Sequence, residues 1–249
     1  MSYGLEQHSL SYLREMGKEM GLPSRRSKDQ MISDIETAFT EYESYHKNKV
    51  DKYKRIKQLG HKGQQGITYL VVDEKGQEFA MKTFRKSKSS AMLKKEYKLQ
   101  KKAGKAGVSP RVYEYDTVSK YIVMDIMDGH LLDVMKSQKG TLRRYQQKRI
   151  LEIFRILDEI GVFHGDANLA NYMLKGKDIY MIDYGFGKEI DSRLCHKLGT
   201  ETPNQALMLL GLVLKLKEFD CPPSSYKYLL PHIPEGDQIK FGLKEKTHT

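Results

Sequence analysis

Apolar residues at Leu10, Leu13, Met16 and Met20 recur at helical spacing. Met31, Ile32, Ile35 and Phe39 form a second such face after the break GLPSRRS. Ser27, with Gln30 three residues on, matches a capping box that opens the second helix. EYESYHKNKVDKYKRI follows, charged and free of Pro and Gly, and reads as a helical or extended connector, so the main domain begins near Asp51. From there the pattern changes to strands. IKQLGHKGQQGITYLVV (56–72) places strand-like residues on both sides of three glycines, a DEKGQ turn follows, and EFAMKTF (78–84) alternates. RVYEYD and KYIVMDIMDG read as two more strands. Helical spacing returns in RRYQQKRILEIFRILDEIG (143–161), with Ile150, Phe154 and Leu157 on one face. NYMLKGKDIYMID then predicts a hairpin turning at Gly176. TPNQALMLLGLVLKLKEF can supply one buried helix and CPPSSYKYLLPHIPEG a short second one.

Length and charge narrow the picture. The 249 residues hold one ordinary domain and a small extra module. A formal charge of +11 fits polyanionic partners or anionic substrates as well as it fits plain solubility. Cys195 and Cys221 have no metal-type spacing and predict two reduced thiols in an intracellular protein. No apolar run approaches the roughly 20 residues of a membrane span, and MSYGLEQHS lacks the features of a secretory signal, so no membrane partner is expected.

Three stretches carry candidate chemistry. Gly60, Gly63 and Gly66 would let backbone amides approach phosphates, although a glycine-rich hairpin is also simply a turn. Glu96 is the one acidic residue between Thr83 and Tyr113, on a helical face with Met92, Leu99 and Ala103. A carboxylate there needs a partner, and Lys82 in the alternating strand is the natural one. The loop FHGDANLANYML (163–174) crowds His164, Asp166, Asn168 and Asn171 between apolar segments, either as turn residues or as a base and a metal ligand.

In order, FAMK, Glu96, the H-G-D-x-x-x-x-N loop and Asp183-Tyr184-Gly185 resemble the protein-kinase-like fold over residues 52–190. The resemblance implies an α+β, bilobal architecture in residues 46–249, with an N-lobe over about 52–127 and a C-lobe over about 128–249. It implies that Lys82 contacts phosphates and is held by Glu96, with Gly60, Gly63 and Gly66 above the nucleotide. Gly60 lies one residue too early for the family's G-x-G-x-x-G. Met124, Asp125 and Met127 would line the adenine, with Met124 at the back of the pocket. Asp166 would take or orient the attacking hydroxyl's proton, and Asn171 and Asp183 would bind Mg²⁺ or Mn²⁺. His164 would be a packing residue, and Asn168 would touch the γ-phosphate or the substrate.

The loop has Gly165 where the large eukaryotic family has arginine, as in RIO kinases, the small kinase of the KEOPS complex, aminoglycoside phosphotransferases and viral kinases of the vaccinia type. Only 64 residues follow Gly185 and none spells A-P-E, which implies a truncated C-lobe. The expected activity is ATP- and Mg²⁺-dependent phosphorylation of Ser or Thr on proteins. A small-molecule phosphotransferase and a nucleic-acid-binding pseudokinase are the alternatives. Residues 1–45 resemble the SAP motif at Leu10, Leu13, Gly21-Leu22-Pro23, Lys28, Met31-Ile32 and Ile35. Arg26 stands in place of the family's usual glycine, and Asp34 in place of a frequent basic residue. This second resemblance implies DNA binding, and with it a nucleus, viral factory or virion; the alternative is a hairpin that only packs.

Overall fold

The structure, a computed structural model, describes residues 5–20, 22–50, 52–60 and 66–244. The chain divides into two compact units, Met1–Arg55 with Val72–Gln77, and Ile56–Val71 with Glu78–Thr249.

In the first unit, α1 (Leu10–Glu19) and α2 (Lys28–Val50) form a hairpin. Its core is Leu5, Leu13, Met31 and Ile35, with Met16, Met20, Leu22, Ile32 and Phe39 packed around it. The capping box is present: Gln30 N donates to Ser27 Oγ and Ser27 N to Gln30 Oε1, both at 3.3 Å. Arg26 and Asp34, the two departures from the SAP pattern, form one ion pair at 3.2 Å. As a partly exposed pair it contributes less than about 1 kcal/mol. Gly21 lies outside the described residues. α2 does not stop after its apolar face but runs through residue 45 to Val50, because the connector holds no helix breaker. At the DEKGQ turn, Asp73 Oδ1 accepts from Lys75 N at 2.9 Å and Gln77 N at 2.8 Å, and Gly76 takes the positive φ of 77°.

β1 (Tyr53–Leu59), β2 (Gly66–Asp73), β3 (Glu78–Phe84), β4 (Val112–Asp116) and β5 (Tyr121–Met124) form a sheet in the order β1-β2-β3-β5-β4. β3 and β5 are antiparallel, with Ala80 opposite Met124 and Lys82 opposite Ile122. Strand alternation puts Lys82 on the face of Ala80 and Phe84, which join Leu93, Ile122 and Met124 in one core. α3 (Ser90–Lys105) contributes Leu93 to that core. Ser89 caps the helix by accepting from Met92 N at 3.2 Å. The buried stripe of α3 runs through Leu93, Glu96, Gln100 and Ala103 with Leu99 beside it, whereas Met92, expected on it, is 53% exposed. The stripe descends from Leu93 by steps of three and four, and Met92 falls one position to its solvent side.

The rest of the second unit is mainly helical. α5 (Arg144–Glu159) buries Ile150, Ile153, Phe154 and Leu157 against Ile179, Met181, Leu209, Leu212 and Val213. Two short helices that the periodicity did not reveal, α4 (Leu131–Ser137) and α6 (Ser192–Leu198), flank the loop region. A wide π-type turn at Asn204–Met208 leads into α7 (Leu209–Glu218). CPPSSYKYLLPHIPEG does not become a helix. Its prolines leave single turns at Pro223–Ser225 and Leu230–His232, and α8 (Glu235–Lys240) starts only after Pro234. Buried side chains pin this irregular cover: Gln147 Nε2 donates to Leu142 O and Ser224 O, both at 2.7 Å, and Gln147 Oε1 accepts from Tyr228 N at 2.9 Å.

Asn204, fully buried, is the junction of this lobe. Its Nδ2 donates to Asp158 Oδ1 at 2.7 Å and Val162 O at 2.8 Å, and its Oδ1 accepts from His164 N at 3.0 Å. It therefore ties α5, the start of the H-G-D loop and the turn before α7 together. Asn204→Ala leaves these buried partners unsatisfied, at about 1–3 kcal/mol for each orphaned group. Urea unfolding is expected to show a loss of about 3 kcal/mol with an unchanged m-value; a loss below about 0.5 kcal/mol, typical of neutral surface sites, would contradict the junction.

Candidate active site

β3 and α3 bring Lys82 and Glu96 together, Nζ to Oε1 at 2.9 Å. Lys82 Nζ also lies 3.1 Å from Asp183 Oδ1. Burial disfavours the charge on Lys82, but Glu96 and Asp183 outweigh it and hold the ammonium above its ordinary range. Burial likewise pushes the Asp183 carboxyl up, and Lys82, with the Gly185 amide and Lys88, carries it below its ordinary range. Both groups are charged at neutral pH.

The H-G-D loop follows the two-residue strand β6 (Val162–Phe163). Asp166 Oδ2 accepts from Asn171 Nδ2 at 2.9 Å, and its Oδ1 accepts from Asn168 N at 3.1 Å. Asn168 Oδ1 is committed to Ala170 N at 3.0 Å, so this residue caps its own turn, and only its side-chain nitrogen is left without a partner among the described residues. His164 is buried and neutral, its pKa lowered by burial against the pull of a bond to the Ile182 carbonyl, 2.9 Å from Nε2. It packs edge-on against Tyr184, as a structural histidine. Gly165 has φ 77°, and a Cβ there would lie 3.0 Å from Phe186 O, so an arginine could not take this backbone without a shift. Asp183, after the hairpin of β7 (Tyr172–Lys175) and β8 (Asp178–Met181), has a left-handed backbone with φ 65° and ψ 72°. For a non-glycine residue this conformation is uncommon and aims the carboxylate at Lys82.

The residues fit a metal–nucleotide pair. Asp183 Oδ2 and Asn171 Oδ1 have no partner among the described residues and are hard oxygen donors of the kind Mg²⁺ takes alongside phosphates and water. On the half-buried connector after β5, Asp125 O and Met127 N also have no partner among the described residues. The Asp125 carboxylate turns away, accepting from Arg111 N at 3.0 Å and the Tyr113 hydroxyl at 2.7 Å. Met124 is buried, with its sulfur 3.3 Å from Gln100 Nε2. The glycines divide in role. Gly60 takes φ 65° in a turn with open space around it. Gly66 is held by packing: a Cβ would lie 2.0 Å from Thr83 O on β3. Gly63 lies outside the described residues.

A model described as "Protein kinase domain" matches residues 53–204. The chain belongs to the protein kinase family. The chain is 26% identical over 145 residues to dual specificity protein kinase Ttk of Danio rerio, covering 54% of this chain and 15% of the relative. It is 29% identical over 106 residues to KEOPS complex subunit Bud32 of Pyrococcus abyssi, covering 39% of this chain and 46% of the relative. A probable serine/threonine-protein kinase of Encephalitozoon cuniculi matches at 24% over 198 residues, 78% of this chain and 33% of the relative. In each case the match spans less than half of the relative's length.

Two residues of the kinase site carry no recognisable signature in the sequence. Asn204 holds the loop through His164 N. Lys88 pairs with Glu96 Oε2, so the fully buried carboxylate lies between two ammonium groups. The Lys88 side chain is 8% exposed and its Nζ lies 4.2 Å above the Phe84 ring centroid. It sits just before the Ser89 cap, on a connector pinned by Phe84 N to Lys120 O at 2.8 Å, and only this placement distinguishes it from the surrounding surface lysines. A double-mutant cycle over Lys88→Met and Glu96→Gln, followed by urea unfolding, is expected to give a coupling energy of about 1–3 kcal/mol. Additivity within about 0.3 kcal/mol would show that the pair is energetically idle.

Proposed function

We propose that this kinase transfers the γ-phosphoryl group of ATP to serine or threonine hydroxyls of proteins, with Mg²⁺. The observation that carries the reading is the convergence of Lys82, Glu96 and Asp183 beside the Asp166–Asn171 pair. Magnesium, when bound with ATP, neutralises phosphate charge and orients the transferred group. Every other contribution comes from the chain. Lys82, poised between two carboxylates, offers a positive charge to the phosphates, and Glu96 holds it in place. Asp183 and Asn171 supply the open oxygens for the metal. Asp166 is steadied by Asn171 and the Asn168 amide, leaving its carboxylate to orient the incoming hydroxyl and accept its proton. The Asp125 carbonyl and the Met127 amide are the backbone pair for the adenine edge.

The serine/threonine assignment draws on what the Encephalitozoon cuniculi relative is named for, and the basic charge suits substrates that lie on nucleic acid. Incubation with labelled ATP, Mg²⁺ and a mixture of casein, histone and basic protein is expected to place phosphate on Ser and Thr. Folded Asp183→Asn is expected to lose about a hundredfold or more in turnover, ~2.7 kcal/mol of transition-state stabilisation. Full turnover by that variant, or label found only on small molecules, would defeat the reading.

A further inference from the structure

A cleft of about 750 Å³ separates α3 from the segment after Asp183. Lys94, Lys95 and Lys98 line one wall; Lys188, Arg193 and Lys197 line the other. All six are exposed, and none has an ion-pair or side-chain hydrogen-bond partner among the described residues. Two acids also line the cleft. Glu189 faces Lys102 at 3.9 Å, outside the cleft, and Asp191 Oδ1 caps α6 by accepting from Leu194 N at 2.7 Å. Six cations against two carboxylates leave an excess of four positive charges around one space, and a multivalent anion is the partner that relieves it.

Spacing and composition select the class of anion. Lys94 and Lys98 are four residues apart on α3, as are Arg193 and Lys197 on α6, which is about 6 Å along each helix. The cleft is therefore edged by two short rails of evenly spaced cations, suited to a polymer of repeating phosphates. Its apolar lining is Ala91 with the buried Leu99 and Leu194, and it contains no aromatic residue. Protein-binding surfaces rely on aromatic and apolar anchors and are poor in lysine. Nucleic-acid surfaces are polar and strongly positive. Five of the six cations are lysines, point charges suited to phosphates rather than to bidentate reading of bases.

The helical hairpin, where the sequence resemblance directs DNA binding, has less to offer. Arg26 is paired with Asp34, Arg14 donates to Arg26 O at 3.3 Å and Lys28 to Glu6 O at 2.7 Å. Of the basic residues at the joint, Lys18 and Arg25 remain without a partner among the described residues.

We infer that the cleft between α3 and residues 188–197 binds the phosphate backbone of nucleic acid, without reading its sequence. The inference does not rest on the catalytic reading, since binding is measured without ATP. The test is binding of a short labelled DNA duplex of mixed sequence to the full chain across a range of salt. Three proteins are compared: wild type, a cleft variant (Lys94→Gln, Lys98→Gln, Arg193→Gln, Lys197→Gln) and a hairpin variant (Lys18→Gln, Arg25→Gln). The cleft variant is expected to bind at least about tenfold more weakly, and its log–log salt slope to be shallower by about 3–4, at roughly 0.9 for each phosphate no longer neutralised. The hairpin variant stays closer to wild type than the cleft variant does. Should the fourfold variant lose its circular dichroism spectrum, Lys94→Gln with Lys98→Gln alone carries the test, with a slope change of about 2. The inference is overturned if wild type fails to bind at about 50 mM salt or if the cleft variants bind like wild type. Equal displacement of the duplex by polyglutamate of matched charge also overturns it, because the cleft would then take any acidic chain.

Discussion

Glu96 has no exposed surface, and a buried carboxylate is costly unless its oxygens are paired or hydrogen-bonded. Lys82 meets one from the sheet and Lys88 meets the other from the connector into α3. The alternation of β3, which turns Lys82 inward with Ala80 and Phe84, and the stripe of α3, which turns Glu96 inward with Leu93, are two halves of this requirement. Lys82 in turn fixes the ionised state of Asp183. With Lys88 included, the four groups balance in charge, and the Lys82 ammonium keeps a partly exposed side.

The lower half of the site depends on backbone shape. Gly165 accepts a conformation and a close approach to Phe186 O that a side chain would disturb. Asp183 holds a left-handed backbone, a cost carried by the surrounding bonds. Asn204 connects Asp158, Val162 and His164, and so joins three segments through one buried amide. Gln147 does the same for the proline-interrupted cover from Cys221 onward. Buried, satisfied hydrogen bonds thus supplement apolar packing in this part of the chain.

What the sequence revealed follows from how locally each feature is encoded. The Lys82 strand, the Glu96 helix and the H-G-D loop announce themselves by periodicity or by short-range polar spacing, and their mutual approach follows from the family resemblance. Lys88 was hidden because a lysine before a helix cap looks like any other solvated lysine; only the third dimension shows its side chain turned onto Phe84 and Glu96. Asn204 lies forty residues from His164, and no local pattern links them. Gly66 was legible as a glycine that something approaches closely, but the neighbour is the β3 backbone at Thr83. Met92 shows the limit of counting by fours: a one-position error in the stripe moves a residue from core to solvent.

The account turns on Lys82 being a preorganised phosphate anchor, and equilibrium binding of ATP tests that most directly. Titrations with and without Mg²⁺, at constant ionic strength, would compare wild type with Lys82→Met, alongside thermal unfolding of both proteins without ligand. The account predicts at least about a tenfold weaker affinity for Lys82→Met, ~1.4 kcal/mol, in a chain that still unfolds cooperatively. Equal affinity in the two folded proteins would contradict it and place the phosphates elsewhere.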